Sequence, residues 1–298
     1  MQPMPATVAL QESTIRLSLP LLGGAVIVVM LAACVGSLPY TLDHYDNQVL
    51  ADKLIAPGDQ YLMGSDRLGR SVLVRCLLGG AISLGIGLAA AAISVVIGTA
   101  WGMTAGYFGG RTDAIMMRIV DVLYGLPYIL LVVLLKVALE PTFQAWFGDT
   151  AGNVVILLLA IGVVSWLTLA RVVRGQVLSI KGQPFIEAAR ATGVPTFRIL
   201  ARHVLPNLIG PIIVYATLTV PQAILQESFL SFLGIGVKDP LPSWGNLAAG
   251  GLSVLNPVKS HWWLLAWPAA LLGLTLLGLN FLGDGLRDRF DPRSIQRT

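Results

Sequence analysis

Residues 187–193 read Glu-Ala-Ala-Arg-Ala-Thr-Gly, and a Leu-Pro pair follows at residues 205–206. This polar and basic stretch lies between two long apolar segments. Pro184 is suited to the first position of a helix, and Gly193 to the left-handed residue that ends one. The stretch therefore predicts two short helices joined by a glycine turn, at one face of an otherwise apolar protein.

The second short helix is predicted to begin at Pro195 and to be closed by Pro206. Arg198 and Arg202 are four residues apart, so they share one face of that helix. That face suits an acidic protein surface or lipid headgroups. A rigid helix-turn-helix on the face of a membrane protein is suited to a groove on a soluble partner.

The composition favours a membrane protein. The chain has 298 residues, of which 55% are hydrophobic and 12% charged, and its mean hydropathy is +0.75. Soluble domains carry about 25% charged residues. The net charge of +4 comes from basic residues that are not in one block, which argues against nucleic-acid binding. Cys34 and Cys76 provide no metal or disulfide framework.

Six segments are apolar over the ~20 residues that are needed to cross the hydrocarbon core. They are residues 17–38, 81–103, 115–139, 153–170, 209–232 and 262–282. Thirteen of the 20 lysines and arginines fall in the two termini and in or beside the connections after the second and fourth segments. Basic residues concentrate on the cytoplasmic side of membrane proteins. The sequence predicts an all-α membrane protein of about six transmembrane helices with both termini in the cytoplasm.

The third segment is the least regular, because Arg118 and Asp121 lie near its start. Residues three apart share a helix face, so these two can pair and lower the cost of burying each other. We expect a structural ion pair there rather than a substrate site.

The stretch from residue 187 to residue 206 resembles the coupling loop of bacterial ABC importer permeases, the "EAA" loop. The Glu-Ala-Ala start and the spacing from Gly193 to the Leu-Pro pair carry the resemblance, while His203 replaces an aliphatic residue of the family. The resemblance implies that Phe185, Ile186 and Ala189 insert into an ATPase subunit and that Glu187 pairs with a basic residue there. The expected ATPase-coupling residues are Phe185, Ile186, Glu187, Ala188, Ala189, Arg190, Gly193, Arg198, Arg202, Leu205 and Pro206.

Three further stretches resemble the dipeptide/oligopeptide permease family, and specifically the smaller of its two membrane subunits. Residues 64–71 read Gly-Ser-Asp-Arg-Leu-Gly-Arg-Ser, with Ser65 and Ser71 in place of the family's Thr and Asp. Residues 227–236 read Glu-Ser-Phe-Leu-Ser-Phe-Leu-Gly-Ile-Gly, and a Pro-Ser-Trp-Gly stretch ends at Gly245. Residues 283–292 read Gly-Asp-Gly-Leu-Arg-Asp-Arg-Phe-Asp-Pro.

The motif at residues 64–71 has two interpretations. Physical chemistry alone favours a capped turn with arginines that extend toward water. The resemblance implies a surface that meets a delivery protein or the partner permease. The expected periplasmic partner contacts are Gly64, Asp66, Gly69, Arg70 and Trp244.

Three polar residues near the end of the fifth segment are candidates for the translocation pathway. Gln222 and Gln226 share a helical face, so they line a pore or form interhelical hydrogen bonds. Glu227 gates the pore or reaches the headgroup region. Glycines and prolines then preclude a continuous helix from residue 234 onward and predict an irregular outer loop.

The sequence has no phosphate-binding Gly-Lys-Ser or Gly-Lys-Thr segment, no His-Glu metal pattern and no nucleophile elbow. We therefore expect no catalytic residue, no metal site and no cofactor in this chain, with ATP and Mg²⁺ bound by partner subunits. The expected domains are residues 1–80 (N-terminal tail, first helix and periplasmic loop), 81–292 (five-helix core with the coupling loop at 175–206) and 293–298 (C-terminal tail).

The resemblance implies a type I ABC importer permease in the bacterial inner membrane. Its expected partners are a second homologous permease, two cytoplasmic ATPases, a periplasmic or lipid-anchored solute-binding protein and membrane lipid, but no nucleic acid. Di- or oligopeptides are the expected cargo, with nickel, glutathione or another small solute as alternatives. A stand-alone secondary transporter is disfavoured, because the sequence shows no convincing internal repeat and few charges near the midplane.

Overall fold

The computed structural model describes residues 6–256 and 259–290, with side chains over residues 19–256 and 259–289. The predicted tail at residues 293–298 lies outside the described residues, as does the end of the 283–292 motif. The helices are α1 (Ala6–Gly36), α2 (Leu38–His44), α3 (Val72–Phe108), α4 (Gly110–Tyr124), α5 (Tyr128–Phe147), α6 (Asp149–Lys181), α7 (Pro184–Ala191), α8 (Thr196–Ile199), α9 (Leu205–Phe232), α10 (Trp244–Leu252) and α11 (Trp263–Phe290). A 3₁₀ turn forms at Leu50–Asp52 and a π-helical turn at Leu200–Val204.

Six helical segments in the described part of the chain are long and apolar enough to cross a membrane, which confirms the predicted number. They are Leu19–Gly36, Val72–Phe108, Tyr128–Phe147, Asp149–Lys181, Thr196–Phe232 and Trp263–Arg289. Several of them extend beyond the apolar core of the predicted segment. Helix α3 begins at Val72, so the predicted domain boundary between residues 80 and 81 falls inside it.

The third span begins later than predicted. Residues 115–124 belong to α4, which ends at Tyr124, and α5 begins only at Tyr128. Pro127 has no N–H to donate and disfavours helical geometry in the residue before it, so the helix is interrupted here. Arg118 and Asp121 lie in α4, so the prediction that places them in the third span is wrong.

Helices α3 and α6 pack closely against each other at the centre of the bundle. Gly98, Gly102 and Gly106 lie on one face of α3, because they are four residues apart. A Cβ atom on Gly102 would lie 2.5 Å from the carbonyl oxygen of Ala170 and 2.8 Å from Cβ of Val173. Small residues allow two membrane helices to approach to this distance, where dispersion contacts hold them together.

We call the end of the bundle that carries α10 the outer end, and the end that carries α7 and α8 the coupling end, following the predicted topology. At the outer end α9 stops at Phe232, and residues 233–243 are irregular, as the glycines and prolines predict. Ser243 and Asn246 then form a capping box that starts α10: each side chain accepts the other residue's backbone N–H, at 2.8 and 3.3 Å.

Candidate functional site

The predicted helix-turn-helix is present at the coupling end. Helix α7 begins at Pro184, and Gly193 has a φ of +77°, which confirms the predicted left-handed stop. The N–H of Val194 donates to the carbonyl of Ala189, and the N–H of Gly193 to that of Arg190, both at 3.0 Å. These two bonds form a Schellman motif, which satisfies the last carbonyls of α7 and fixes the direction of the chain.

The two faces of α7 have different environments. Ile186 and Ala189 are buried in a cluster that includes Tyr107 of α3 and Val177 of α6. Their expected insertion into a partner is therefore wrong, because they attach α7 to this chain's own helices. The outward face consists of Phe185, Glu187 and Ala188, which are exposed.

An exposed aromatic side chain extends this outward surface onto α8. Phe197 is 82% exposed, although it is a large apolar residue. Arg198 and Arg202 beside it are also exposed, as expected of a contact face. Sequence reasoning missed Phe197, although its place between the helix-opening Pro195 and Arg198 is a usable signal.

Arg190 bends back toward the bundle. Its guanidinium lies over the ring of Tyr107, 5.0 Å from the centroid, and the ammonium of Lys181 lies 5.8 Å from the same centroid. Cations over an aromatic face are attracted by the ring quadrupole. This contact adds to the attachment of α7 to α3.

The prediction that Pro206 closes the second short helix is wrong. Helix α8 passes through the π-helical turn directly into α9, and Pro206 stands in the first turn of α9. The N–H of Leu205 donates to the carbonyl of Leu200, five residues back. Proline has no N–H, so it is tolerated in a first turn. The coupling end is thus continuous with the fifth span.

Two ion pairs connect α4 to α6 near the coupling end. Arg174 donates to both carboxylate oxygens of Asp113, through Nε at 2.5 Å and Nη2 at 2.6 Å. Arg171 donates to Asp121 at 2.9 Å. The predicted pairing of Asp121 with Arg118 is therefore wrong, because the partner comes from α6 rather than from the same helix.

The Asp113 pair gives a testable pH dependence. The hydrogen bonds from Arg174 hold the pKa of the Asp113 carboxyl below its usual value of 3.8. Its contribution to stability is therefore complete above that value and disappears as pH falls through the lowered pKa. We expect Asp113→Asn to lower the thermal unfolding midpoint in detergent by the same amount at pH 7 and pH 5, and by less at pH 3. A difference from the wild type that is unchanged at pH 3, or an equal loss in the exposed-loop variant Asp59→Asn, would contradict this assignment.

A cavity of about 390 Å³ lies between the end of α4, α5, α6 and α9. Gln222 and Gln226 both line it, together with Tyr128, Tyr215 and hydroxyl side chains of α6. The Tyr128 hydroxyl donates to Oε1 of Gln226 at 2.5 Å. The two glutamines thus share one wall of a cavity whose lining residues carry no formal charge.

Glu227 is fully buried beside this wall and does not reach out of the protein. Its Oε2 accepts from Ser83 of α3 at 2.8 Å and its Oε1 from Ser231 at 2.6 Å. A buried carboxylate is tolerated only with such donors. The alternative in which Glu227 extends to the headgroups therefore does not hold, and the carboxylate connects α9 to α3.

Lys136 of α5 contacts the loop that follows α9. It is buried in α5, and its ammonium donates to the carbonyl oxygens of Ile235 and Gly236. The Ser231 hydroxyl, which donates to Glu227, in turn accepts the N–H of Val237 at 2.9 Å. A buried acid and a buried base therefore hold one short loop. Sequence reasoning missed Lys136, because its partners lie about a hundred residues away.

The predicted outer contact residues form a tight turn. Asp66 accepts the N–H of Leu68 at 2.8 Å and Nε of Arg70 at 2.7 Å. Gly64 and Gly69 are buried and have φ values of +81° and +75°. The backbone therefore has the conformation of the capped-turn interpretation. Arg70, however, is bonded to Asp66 within the turn and does not extend toward water.

Trp244 is not on the outer surface. Its side chain is fully buried, and its indole N–H donates to the carbonyl of Cys76 at 3.1 Å. The ring lies against Gly80, where a Cβ atom would come within 2.6 Å of it. Trp244 attaches α10 to α3 and does not belong to the predicted contact surface.

Comparison with known proteins agrees with this architecture. A sequence model of the family described as "Binding-protein-dependent transport system inner membrane component" matches residues 98–296. The dipeptide transport system permease protein DppC of Bacillus subtilis is 46% identical over 83% of this chain and 73% of that protein. The oligopeptide transport system permease protein OppC of Haemophilus influenzae is 43% identical over 90% of this chain and 82% of that protein.

Among solved structures, the chain is similar to a subunit of the MetNI methionine ABC transporter in an inward-facing conformation. The TM-score is 0.55 with 20% sequence identity, over 73% of this chain and 96% of that one. At this identity the similarity establishes the fold, and it confirms the expected type I importer permease architecture.

Proposed function

The chain belongs to the family of binding-protein-dependent transport system inner membrane components, and from this membership we propose that it forms half of the translocation pathway of an ATP-driven importer of di- or oligopeptides. A second homologous permease forms the other half, and two cytoplasmic ATPase subunits supply the energy. A periplasmic or lipid-anchored binding protein delivers the solute. We place the chain in the bacterial inner membrane, with ATP and Mg²⁺ bound by the partners and no cofactor in this chain.

The observation that carries the proposal is the exposed surface of α7 and α8. Phe185 and Phe197 are large apolar side chains exposed at the coupling end, and Glu187 lies near Phe185 on α7. Aromatic anchors next to a charged residue are typical of the centre and rim of a protein contact. A short rigid helix that presents them suits the groove of an ATPase subunit.

The inner face of α7 supports the transmission of movement. Ile186 and Ala189 pack against α3 and α6, and the Asp113–Arg174 pair connects α4 to α6. A displacement of α7 by a closing ATPase therefore acts on several spans at once. ATP then shifts the population between two arrangements of the bundle, provided that the ATPase contacts them with different affinity.

The uncharged cavity supports peptides as cargo. Gln222, Gln226 and the tyrosine hydroxyls each donate and accept hydrogen bonds, as peptide groups do. Such a wall can hydrogen-bond to a peptide backbone whatever the charge of the peptide's side chains. The peptide names of the relatives from Bacillus subtilis and Haemophilus influenzae point to the same cargo.

The test begins with purification of the tagged chain in mild detergent, together with its partners, and reconstitution of the complex in liposomes. We expect ATP-dependent uptake of labelled di- or oligopeptides. Uptake of nickel or glutathione that peptides do not inhibit would replace the peptide assignment. A stable chain that purifies without any ATPase would contradict the importer proposal.

Glu187→Lys tests the coupling surface. Like charges across an interface cost several kcal/mol, so we expect peptide uptake to fall about tenfold while the amount of inserted protein is unchanged. Glu187→Gln removes the charge without reversing it and should have a smaller effect. Normal uptake by the lysine variant would remove Glu187 from the coupling surface.

A further inference from the structure

A second cavity, of about 350 Å³, lies at the outer end between the turn at residues 64–71, the start of α3, α10 and α11. It has no lining residue in common with the cavity that contains Gln222. Arg67, Arg70 and Arg75 line it, as do Asp66 and Asp239. The lining thus has three guanidinium groups against two carboxylates.

Arg75 is the residue whose bonding is incomplete. It is 3% exposed, and its Nη2 donates to Oδ1 of Asp239 at 3.3 Å. Within the described residues its Nε and Nη1 have no hydrogen-bond partner, and the nearest carboxylate oxygen, of Asp66, lies 3.9 Å from Nε. Buried polar groups are almost always hydrogen-bonded, so unmet donors on a buried guanidinium call for an explanation.

The neighbouring charges do not supply the missing partner. The carboxylate of Asp66 is already bonded to Arg70 and to backbone N–H groups. Arg70 itself also pairs with Asp46 at 3.1 Å, and Arg67 donates to Ser253. The side chain of Asp239 is 79% exposed, so it is held weakly and can be displaced.

The end of the Arg75 guanidinium presents a fork of two nitrogens. One, Nη1, is unpartnered, and the other, Nη2, bonds only to the displaceable Asp239. A carboxylate accepts two parallel hydrogen bonds from such a fork. Leu247, Leu264 and Pro268 provide an apolar wall in the same cavity.

We propose that this outer cavity binds a carboxylate carried next to an apolar group. The carboxylate displaces Asp239 and accepts one hydrogen bond from each nitrogen of the Arg75 fork. The apolar group packs against the wall formed by Leu247 and Leu264. The apolar wall beside the fork suits a carboxylate on an apolar group better than a phosphate ion. The carboxylate comes either from the C-terminus of a small peptide or from an acidic side chain of a protein docked at the outer end.

The binding assay uses the full chain with its co-purified partners in lipid nanodiscs. Equilibrium dialysis compares radiolabelled N-acetyl-leucine, a free acid, with N-acetyl-leucinamide. We expect the acid to bind at least about tenfold more tightly, because the amide has no charge for the fork. Competition by N-acetyl-leucyl-glutamic acid α-amide, whose only carboxylate is on the glutamate side chain, identifies the source. Stronger competition than by unlabelled N-acetyl-leucine indicates a docked protein, and weaker competition indicates a peptide C-terminus.

Two variants and a control complete the test. Arg75→Lys keeps the charge and loses the fork, and should weaken binding of the acid about tenfold. Asp239→Asn alters an exposed residue and removes the competing carboxylate, so it should tighten binding about fivefold. Asp59→Asn removes a negative charge from another exposed position of the outer loop and should change nothing.

Several results would overturn the proposal: equal binding of acid and amide, equal displacement by inorganic phosphate, or unchanged binding in both Arg75→Lys and Asp239→Asn. Equal tightening by Asp59→Asn and Asp239→Asn would also overturn it, since the effect would then come from overall charge. The assay measures binding without ATP or uptake. Its failure and a failure of the proposed transport function are therefore distinguishable.

Discussion

Replacing Gly102 by isoleucine is expected to prevent the folded protein from accumulating in the membrane. A Cβ atom at this position meets the carbonyl oxygen of Ala170 at 2.5 Å, and backbone cannot move aside by a change of rotamer. The added branches must push α3 away from α6, the most buried of the candidate spans. Overpacking of a core typically costs about 1–3 kcal/mol, and separation of two closely packed helices adds to that. A total stability of about 5–15 kcal/mol leaves little margin.

The same helix offers a matched control. Gly85 lies in α3 too, but it is exposed, and a Cβ atom there has nothing within 4 Å. Gly85→Ile therefore introduces the same side chain and the same change in helix propensity without the clash. Membrane extracts of both variants, compared by size-exclusion chromatography for the monodisperse fraction, give the answer. Equal yields for Gly102→Ile and Gly85→Ile would show that α3 and α6 do not depend on this close approach.

Gly193→Val is expected to lower ATP-driven uptake at least about tenfold while leaving the amount of inserted protein unchanged, because a β-branched residue is a severe outlier in left-handed geometry. The φ of +77° holds the turn between α7 and α8. Strain there reorients the exposed Phe197 relative to Phe185 and Glu187, and the proposed ATPase contact loses its shape. The spans themselves are not touched, since a Cβ atom at residue 193 meets no atom of another segment within 4 Å.

Gly182→Val controls for bulk in the same loop. A Cβ atom at Gly182 also meets nothing within 4 Å, but the φ of Gly182 is −84°, outside the left-handed region that strains L-residues. We expect this variant to retain most of its uptake in reconstituted liposomes. If the two valine variants were equally impaired, the left-handed conformation of Gly193 would not be the property that matters.

The confirmed predictions rest on local backbone rules. Pro184 and Gly193 mark the ends of α7, because proline and glycine restrict or extend the backbone wherever they occur. The count of six spans follows from apolar length. Apolar length alone places the start of the third span too early, because it does not register the break that Pro127 imposes. The four-residue spacing of glycines on α3 is a readable signal that sequence reasoning overlooked.

Other features depend on contacts between distant segments. Asp113 and Arg174 lie 61 residues apart in sequence, so their pairing follows only from the packing of α4 on α6. The burial of Lys136 is visible only once the loop after α9 folds over α5. The motif predicts a surface position for Trp244, whereas the absence of a side chain at Gly80 lets its ring pack in the interior.

The π-helical turn at Leu200–Val204 determines how far the outer part of the fifth span is rotated about its axis relative to the coupling end. A π turn accommodates one residue more than an α-helical turn, and each residue of an α-helix advances the side-chain direction by about 100°. The helical segment from Thr196 to Phe232 has no break, so this angular offset applies to every residue that follows the π turn. The direction in which Gln222 and Gln226 point relative to α7 is therefore set by one extra residue in the turn near the coupling end.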